Sequence, residues 1–164
     1  MSNVVLLIGG NIGDKFENIT IAKNSIISDI GKISKESAIY ESKPWGFEHD
    51  QNFLNQVIVV STDLLPYEIL NRIHIIENKM GRKRNKTGYS ARPMDIDILF
   101  IEDMIVDKPD LKIPHIEIPN RRFTLLPLSD IDEDFIHPVL NKTIKYLLQN
   151  CSDKSDVKIY FINK

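Results

Sequence analysis

Hydrophobic and polar positions along the chain follow two periods, one typical of strands and one typical of helices. Residues 4–8 form a continuous apolar run that ends at a Gly-Gly pair, which predicts a buried first strand. A helix follows to about Asp29, because Asp14 and Glu17 form a helix-start pattern in which each side chain can accept a hydrogen bond from a backbone N–H of the first turn. Its inner stripe is predicted to comprise Phe16, Ile19, Ala22, Lys23, Ile26 and Ile27.

The same two periods continue through the first hundred residues. Residues 32–41 and 53–62 are predicted strands, and 94–101 is a third. Between the last two, Pro66 stands where helices begin, and a helix is predicted to reach Gly81. The order strand, helix, strand, strand, helix, strand predicts an α+β, ferredoxin-like βαββαβ core, with helices on one face of an antiparallel sheet. The inner stripe of the second helix is predicted to be Ile69, Ile73, Ile76 and Met80.

Beyond residue 101 the periodicity is weaker, and several prolines interrupt it. We expect this part to form a C-terminal extension of the core. The whole chain, residues 1–164, is expected to be a single domain because its length is typical of one. The elements predicted in the extension are a strand over 111–114, helices over 123–128 and 143–150, and a last strand over 157–162.

Asp95 and Asp97 are the strongest chemical signal from the residues themselves. Alternate side chains of a strand share a face, so the two carboxylates point the same way, roughly 6–7 Å apart. Met94, Ile96 and Ile98 then point into the core. Two convergent carboxylates suit Mg²⁺, which prefers oxygen ligands and usually keeps substrate phosphates among them. Alternating acids and isoleucines are equally typical of any half-exposed strand, and this alternative stays open.

A basic segment with a glycine at each end, residues 81–88, precedes these acids together with Arg92. Guanidinium and ammonium groups supply the positive charge that a phosphate site needs. The residues therefore favour a magnesium-dependent enzyme that handles the phosphates of ATP. The segment is not a Walker loop, because the residue directly before Lys86 is not a glycine and because the segment follows a helix instead of opening one.

Composition and smaller motifs argue against several other classes. With a net charge of −2, the chain as a whole has no excess of positive charge for binding nucleic acid. The turn Gly-Gly-Asn-Ile-Gly does not match the dinucleotide-binding pattern and is interpreted as a tight strand-to-helix turn. Cys151 is the single cysteine, which fits a reducing compartment. Since neither a secretory signal nor a membrane span is visible, a cytoplasmic protein is expected.

Three motifs resemble one known family. In chain order they are Pro44-Trp-Gly46 with Phe53-Leu-Asn55, then Arg92-Pro-Met-Asp95-Ile-Asp97-Ile-Leu, then Ile113-Pro-His115 with Asn120-Arg-Arg-Phe123. The sequence is similar, over essentially its whole length, to the 6-hydroxymethyl-7,8-dihydropterin pyrophosphokinases. These folate-pathway enzymes move the terminal pyrophosphate of ATP onto a pterin alcohol.

The resemblance implies two Mg²⁺ ions on Asp95 and Asp97, and catalytic roles for these acids and for Arg82 and Arg92. It implies ATP and 6-hydroxymethyl-7,8-dihydropterin as substrates, with no nucleic-acid or membrane partner. The implied ATP-binding residues are His74, Glu77, Arg82, Arg84, Tyr89, Arg92, Ile98, Lys112, His115 and Arg121. The implied pterin-binding residues are Ser42, Lys43, Pro44, Trp45, Gly46, Phe53, Asn55 and Phe123.

For several of these residues a structural interpretation stays open. Phe53 at a strand start is commonly only a core residue. His115 can simply end a proline-rich turn, and Glu77 can lie on a solvated helix face. Arg82 and Arg92 can be rim charges.

The chain departs from the family pattern at some positions. Tyr89-Ser-Ala precedes Arg92 where Trp-Gly-Pro is frequent, and Phe53 stands where Tyr is common. The other departures are His74 in place of Gln, with Lys112 and Ile116 where hydroxyl residues are usual. These last departures affect the expected adenine and ribose contacts.

The segments 42–52 and 81–92 are predicted to close over both substrates.

Three rival functions remain at this point: a Mg²⁺-dependent nucleotidyltransferase, a ferredoxin-like nucleic-acid-binding module and a ligand-binding domain without catalysis. Members of the family also occur fused to dihydropteroate synthase or dihydroneopterin aldolase. As an isolated domain the chain is expected to be a monomer.

Overall fold

The structure is a computed structural model that describes residues 1–81 and 92–161. Its elements in chain order are β1 (Ser2–Gly10), α1 (Lys15–Asp29), β2 (Lys32–Glu36), β3 (Tyr40–Ser42), β4 (Phe53–Thr62), α2 (Pro66–Lys79), β5 (Asp95–Ile101), β6 (Val106–Lys108), β7 (Leu111–Ile113), a 3₁₀ turn (Ile118–Asn120), α3 (Arg122–Asp132), α4 (Ile144–Gln149) and β8 (Val157–Ile159).

One antiparallel sheet organises these elements, with its strands in the order β5, β1, β4, β3 and β8 and with β2 also paired to β4. The strand β1 lies between β4 and β5 and pairs with both. It needs a continuous apolar run because it is covered on both faces. Helix α1 connects β1 to β2, and α2 connects β4 to β5. This order confirms the predicted ferredoxin-like core.

The single strand predicted over 32–41 is wrong, because the chain forms β2 and β3 with a break between them. At the break, side chains take the place of ladder hydrogen bonds. The Ser37 hydroxyl accepts from the Val57 N–H at 2.9 Å, and the Asp130 carboxylate of α3 accepts from the Ala38 N–H at 3.2 Å. Such long-range side-chain partners have no signature in a local sequence pattern.

The predicted start of α1 is confirmed for Asp14, whose side chain accepts from the Glu17 N–H at 3.1 Å. The predicted stripe is wrong at Ile27, which is 53% exposed while Ile26 is buried. Successive residues of a helix differ by about 100° around its axis, so the two isoleucines cannot share the narrow buried face. The buried residues of α1 are Ile19, Ala22 and Ile26, and those of α2 include Ile69, Ile73 and Ile76.

Two hydrophobic cores lie on opposite faces of the sheet. The larger core packs α1 and α2 on one face, as predicted. The smaller core packs α3 and α4 on the other face, so the C-terminal extension covers the face of the sheet that α1 and α2 leave exposed. Helix α3 runs to Asp132, beyond its predicted end at Leu128, and β6 was not predicted. Within the described residues, no helix is long and apolar enough to cross a membrane.

Adjacent isoleucines on α1 test the assignment of its buried face. We expect Ile26→Ala to lower the free energy of unfolding by about 2–4 kcal/mol, because it leaves a cavity in the larger core. Ile27→Ala is the matched control, and its exposed side chain predicts a change within about 0.5 kcal/mol. Urea unfolding of both variants measures the difference, and equal losses would contradict the assigned face.

Candidate active site

A cavity of about 600 Å³ opens over the ends of β1, β4 and β5. Its size is that of a small-molecule site. Its walls also include residues of the loop 43–52, of α2, of the β6–β7 hairpin and of the segment that leads into α3. The predicted site residues that line it are Ser42, Lys43, Trp45, Phe53, Asn55, His74, Glu77, Arg92, Asp95, Asp97, Ile98, Lys112, His115, Arg121 and Phe123.

Five predicted site residues are not among these lining residues. Pro44 is absent from the lining, and so is Gly46, whose φ of 83° turns the loop 43–52. Arg82, Arg84 and Tyr89 lie outside the described residues, as does most of the predicted second closing segment.

Gly9 is the geometric centre of the site. It pairs with Asn55 of β4 on one side and with Asp95 of β5 on the other. Directly paired residues share a sheet face, so Asn55 and Asp95 flank Gly9 on the same face. A Cβ atom at Gly9 would lie 2.1 Å from Asn55 Oδ1 and 2.4 Å from the Leu54 carbonyl oxygen. Only glycine therefore fits between the two functional side chains.

The two acids predicted as metal ligands face the cavity. Asp97 pairs with Leu7 on β1, two positions from Gly9, which places it on the same face as Asp95. Burial, and then the negative charge of Asp95, raises the pKa of Asp97 to about 7, while the nearby Arg121 guanidinium acts in the opposite direction. A divalent cation beside Asp97 would supply positive charge that favours the ionised form of this carboxyl.

The protein ligands for such a cation are few. Among residues 1–81 and 92–161, no group of three or more His, Cys, Asp or Glu side chains could enclose a metal ion. A cation at Asp95 and Asp97 would therefore keep other oxygen ligands, as Mg²⁺ does with water and substrate phosphates. The arrangement fits Mg²⁺, and not a closed structural zinc site.

Arg92 lies between the acids and the aromatic residues of the site. Its Nη1 atom is 3.6 Å from Asp95 Oδ2, and its Cζ atom is 5.7 Å from the centre of the Phe53 ring. Its backbone is held at the end of β1, because its N–H and its carbonyl both bond to Asn11 at 2.9 Å. The Arg92 side chain is 13% exposed, so the interpretation as a rim charge is wrong.

The residues assigned to the pterin come from neighbouring strands. Ser42 of β3 pairs with Phe53 of β4, and the Asn55 amide donates to the Ser42 hydroxyl at 3.5 Å. All three are buried, and all line the cavity. Phe53 belongs to neither hydrophobic core, and Phe47 of the loop 43–52 packs edge-on against it, with ring centres 6.0 Å apart. The structure therefore does not support the interpretation of Phe53 as only a core residue.

Glu77 and His115 bring α2 and the segment after β7 to the free edge of β5. The solvated alternative for Glu77 is wrong, because it is 1% exposed and accepts from the Ile96 N–H at 2.9 Å. The His115 backbone N–H donates to the Leu99 carbonyl, and its Nδ1 atom accepts from the Glu117 N–H at 3.1 Å. Burial, and then the Arg121 charge, lowers the pKa of His115 to about 4, which keeps the ring neutral.

Sequence reasoning missed Asn11, which holds several parts of the site together. It is 0% exposed, and its backbone N–H and its Oδ1 atom bond to the backbone carbonyl and N–H of Arg92, both at 2.9 Å. Its Nδ2 atom donates to the Gln51 carbonyl at 3.2 Å and lies 3.4 Å from His49 Nδ1. The signal in the sequence was the asparagine within the turn Gly-Gly-Asn-Ile-Gly, which was interpreted only as a connection between a strand and a helix.

Fold and site together define a class of protein: an α+β domain with a cavity of small-molecule size beside paired carboxylates and arginines. A family model described as 7,8-dihydro-6-hydroxymethylpterin-pyrophosphokinase (HPPK) matches residues 5–133. A 2-amino-4-hydroxy-6-hydroxymethyldihydropteridine pyrophosphokinase of Aquifex aeolicus is 39% identical over 88% of this chain and 89% of its own length. The chain belongs to the 7,8-dihydro-6-hydroxymethylpterin-pyrophosphokinase family.

Longer relatives contain the same region. The folic acid synthesis protein FOL1 of Dictyostelium discoideum is 38% identical over 94% of this chain, which spans only 23% of that protein. The Plasmodium falciparum HPPK-DHPS structure with pteroate aligns with a TM-score of 0.73 at 20% identity, over 90% of this chain and 42% of the other. This likeness confirms the fold.

Removing the donor of the Asn11 side chain tests its role. Asn11→Asp keeps the acceptor for the Arg92 N–H but loses the donor to the Gln51 carbonyl. We expect the free energy of unfolding to fall by about 1–3 kcal/mol, because the substitution places a carboxylate at a fully buried position, facing the Gln51 carbonyl oxygen. The control is Asn18→Asp, whose amide donates to Ile12 at 3.2 Å near the surface, with an expected loss below about 0.5 kcal/mol. A smaller loss for Asn11→Asp than for the control would contradict this role.

The lowered pKa of His115 predicts a pH dependence of stability. The unfolded chain binds the proton near pH 6.5 and the folded chain only near pH 4, so this stabilisation is complete above pH 6.5 and is lost progressively as the pH falls to 4. We expect the wild type to lose about 1–3 kcal/mol more than His115→Asn across this interval. Urea unfolding at stepped pH measures it, and parallel pH profiles would refute it.

Proposed function

We propose that this chain transfers pyrophosphate from ATP to the hydroxymethyl group of 6-hydroxymethyl-7,8-dihydropterin, giving AMP and the pterin pyrophosphate, in folate biosynthesis. As a member of its family it is an ATP-dependent pyrophosphokinase. The observation that carries the assignment to this cavity is the pairing of Gly9 with both Asn55 and Asp95, which brings a ring-binding amide and an acid to adjacent positions.

The pterin half of the cavity is assigned to the β3–β4 side. Phe53 and Phe123 are the aromatic residues that would cover the flat ring, and Asn55 and Ser42 offer donors and acceptors to its edge. Backbone groups of the loop 43–52 complete this half, which includes the proposed contacts of Lys43, Pro44, Trp45 and Gly46.

The nucleotide half is assigned to the side of β5, α2 and the β6–β7 hairpin. His74, Glu77, Ile98 and His115 border it, and Lys112, paired with Asp107, stands on the hairpin. Arg92 and Arg121 are the described cations that would bind the phosphates, because a guanidinium donates two hydrogen bonds at once and stays charged. Arg82, Arg84 and Tyr89 are proposed to act with them.

Asp95 and Asp97 are proposed to hold two Mg²⁺ ions with oxygens of the substrates. Bound there, the metal would neutralise the triphosphate charge and polarise the reacting oxygens. The residues themselves supply position and charge: Arg92 beside Asp95, and Arg121 near Asp97, surround the place where negative charge develops. Phosphoryl-type transfer needs this positioning more than it needs covalent help.

The described part of the chain supports one catalytic unit, because both hydrophobic cores share a single sheet. We propose that residues 1–164 form one domain that acts as a monomer when it stands alone. Longer relatives such as the Dictyostelium protein carry the same region within larger chains.

Product identity is the direct test of the proposed function. We expect mass spectrometry to detect AMP and pterin pyrophosphate after incubation with ATP, Mg²⁺ and the pterin alcohol, and a chelator to abolish both. Asp97→Asn should lower kcat/KM by about a thousandfold, because it removes a metal-binding charge. Asp134→Asn, at an exposed position, is the control and should be fully active.

Other products would favour the rival functions. Released inorganic pyrophosphate with a nucleotidylated pterin would indicate a nucleotidyltransferase. Binding of both ligands without any product would indicate a non-catalytic module.

A further inference from the structure

Trp45, in the loop that the pterin site uses, stacks on an arginine that we assign to the nucleotide. The Arg121 Cζ atom lies 4.6 Å from the centre of the Trp45 ring and 5.7 Å from that of Phe123. Its Nε atom is 3.9 Å from Glu117 Oε2. Both distances to the rings are within the range of cation–π attraction, which is strongest for tryptophan and for partners removed from water. Arg121 is buried, so the second condition is met.

The backbone of Arg121 is fixed independently of these rings. The Arg121 carbonyl accepts from the N–H groups of Thr124 and Leu125, both at 3.1 Å, at the start of α3. The next residue, Arg122, donates its N–H to Asp153 at 3.0 Å. Since the backbone position is set by α3, contacts with the rings and with Glu117 act on the direction of the guanidinium and not on the position of the backbone.

The position of Trp45 depends in turn on how the loop 43–52 is attached. Asn11 holds the far half of this loop through Gln51, and the Lys15 ammonium donates to the Asn52 carbonyl at 2.9 Å. In the middle of the loop, Phe47 packs on Phe53 of the pterin half. Trp45 therefore connects this attached loop to the nucleotide half.

We propose that Trp45 is a positioning residue for ATP, acting by holding the Arg121 guanidinium flat so that its N–H groups face phosphate oxygens. The inference rests on the proposed function, because it takes Arg121 as a phosphate-binding residue. Stacking uses the face of a guanidinium, whereas its five N–H donors lie in its plane, so both contacts can form at once. Any linkage is reciprocal: if the loop arrangement favours ATP binding, bound ATP favours that arrangement by the same free energy.

The affinity for ATP, measured without pterin, tests this role. We expect Trp45→Leu to weaken MgATP binding by about 3- to 30-fold, because it removes the cation–π contact, and Trp45→Phe to stay within about threefold of the wild type. Phe47→Leu is the matched control in the same loop, and it should weaken ATP binding less than Trp45→Leu does, because the described ring contacts of Phe47 are with His49 and Phe53. Isothermal calorimetry measures all four proteins.

A spectroscopic readout follows from the composition, because Trp45 is the only tryptophan of the chain. We expect saturating MgATP alone to change its fluorescence, although no pterin is present. In Arg121→Lys, which keeps the charge but not the planar face, the response at saturating MgATP should be largely lost. Circular dichroism of each variant confirms that it is folded.

Two results would overturn the proposal: ATP binding by Trp45→Leu that equals the wild type, or equal weakening in Trp45→Leu and Phe47→Leu, which would indicate a general effect of the loop. The proposed function fails on a different result, a wild type that binds ATP yet forms no AMP with the pterin alcohol. The comparison among the variants would still decide the role of Trp45 in that case.

Discussion

The site depends on one steric constraint, the absence of a side chain at Gly9. Because β1 lies between β4 and β5, Gly9 has a neighbour on each side, and these are Asn55 and Asp95. A methyl group there would overlap the Asn55 amide, and any repair would move β4 away from β1. The distance between the proposed ring-binding and metal-binding halves is therefore set by the spacing of three adjacent strands, which are rigid elements of the fold.

Charge is the second constraint on the site. Two acids converge on a partly enclosed cavity and share it with Arg92 and Arg121. Arg92 also lies against the Phe53 ring and Arg121 against the Trp45 ring, and a guanidinium that faces a ring keeps its N–H donors in its own plane. In the proposed assignment the same aromatic residues border the pterin half. One set of rings would then serve two purposes, to cover a ligand and to orient the charges that act on its neighbour.

The sequence predicted the parts of the structure that depend on local periodicity. The strand over 53–62 and the acids on β5 were correct, because alternation and burial decide them. The break after β2 was not predictable, since it depends on Asp130 from α3. Asn11 was missed for the same reason: its partners at Gln51 and Arg92 are distant in sequence. The site residues came mainly from the family resemblance, and local patterns alone left Phe53, Glu77 and His115 ambiguous.

Asp130 has a consequence for how the domain unfolds. Its carboxylate accepts from the Ala38 N–H at the break between β2 and β3 and from the Tyr40 hydroxyl at 2.9 Å, although it belongs to the helix on the opposite side from α1 and α2. Loss of α3 would therefore remove a side-chain acceptor from the backbone at this break and from the Tyr40 hydroxyl. Asp130 thus couples the layer of α3 to the sheet on which the larger core packs, which favours unfolding of the two layers together.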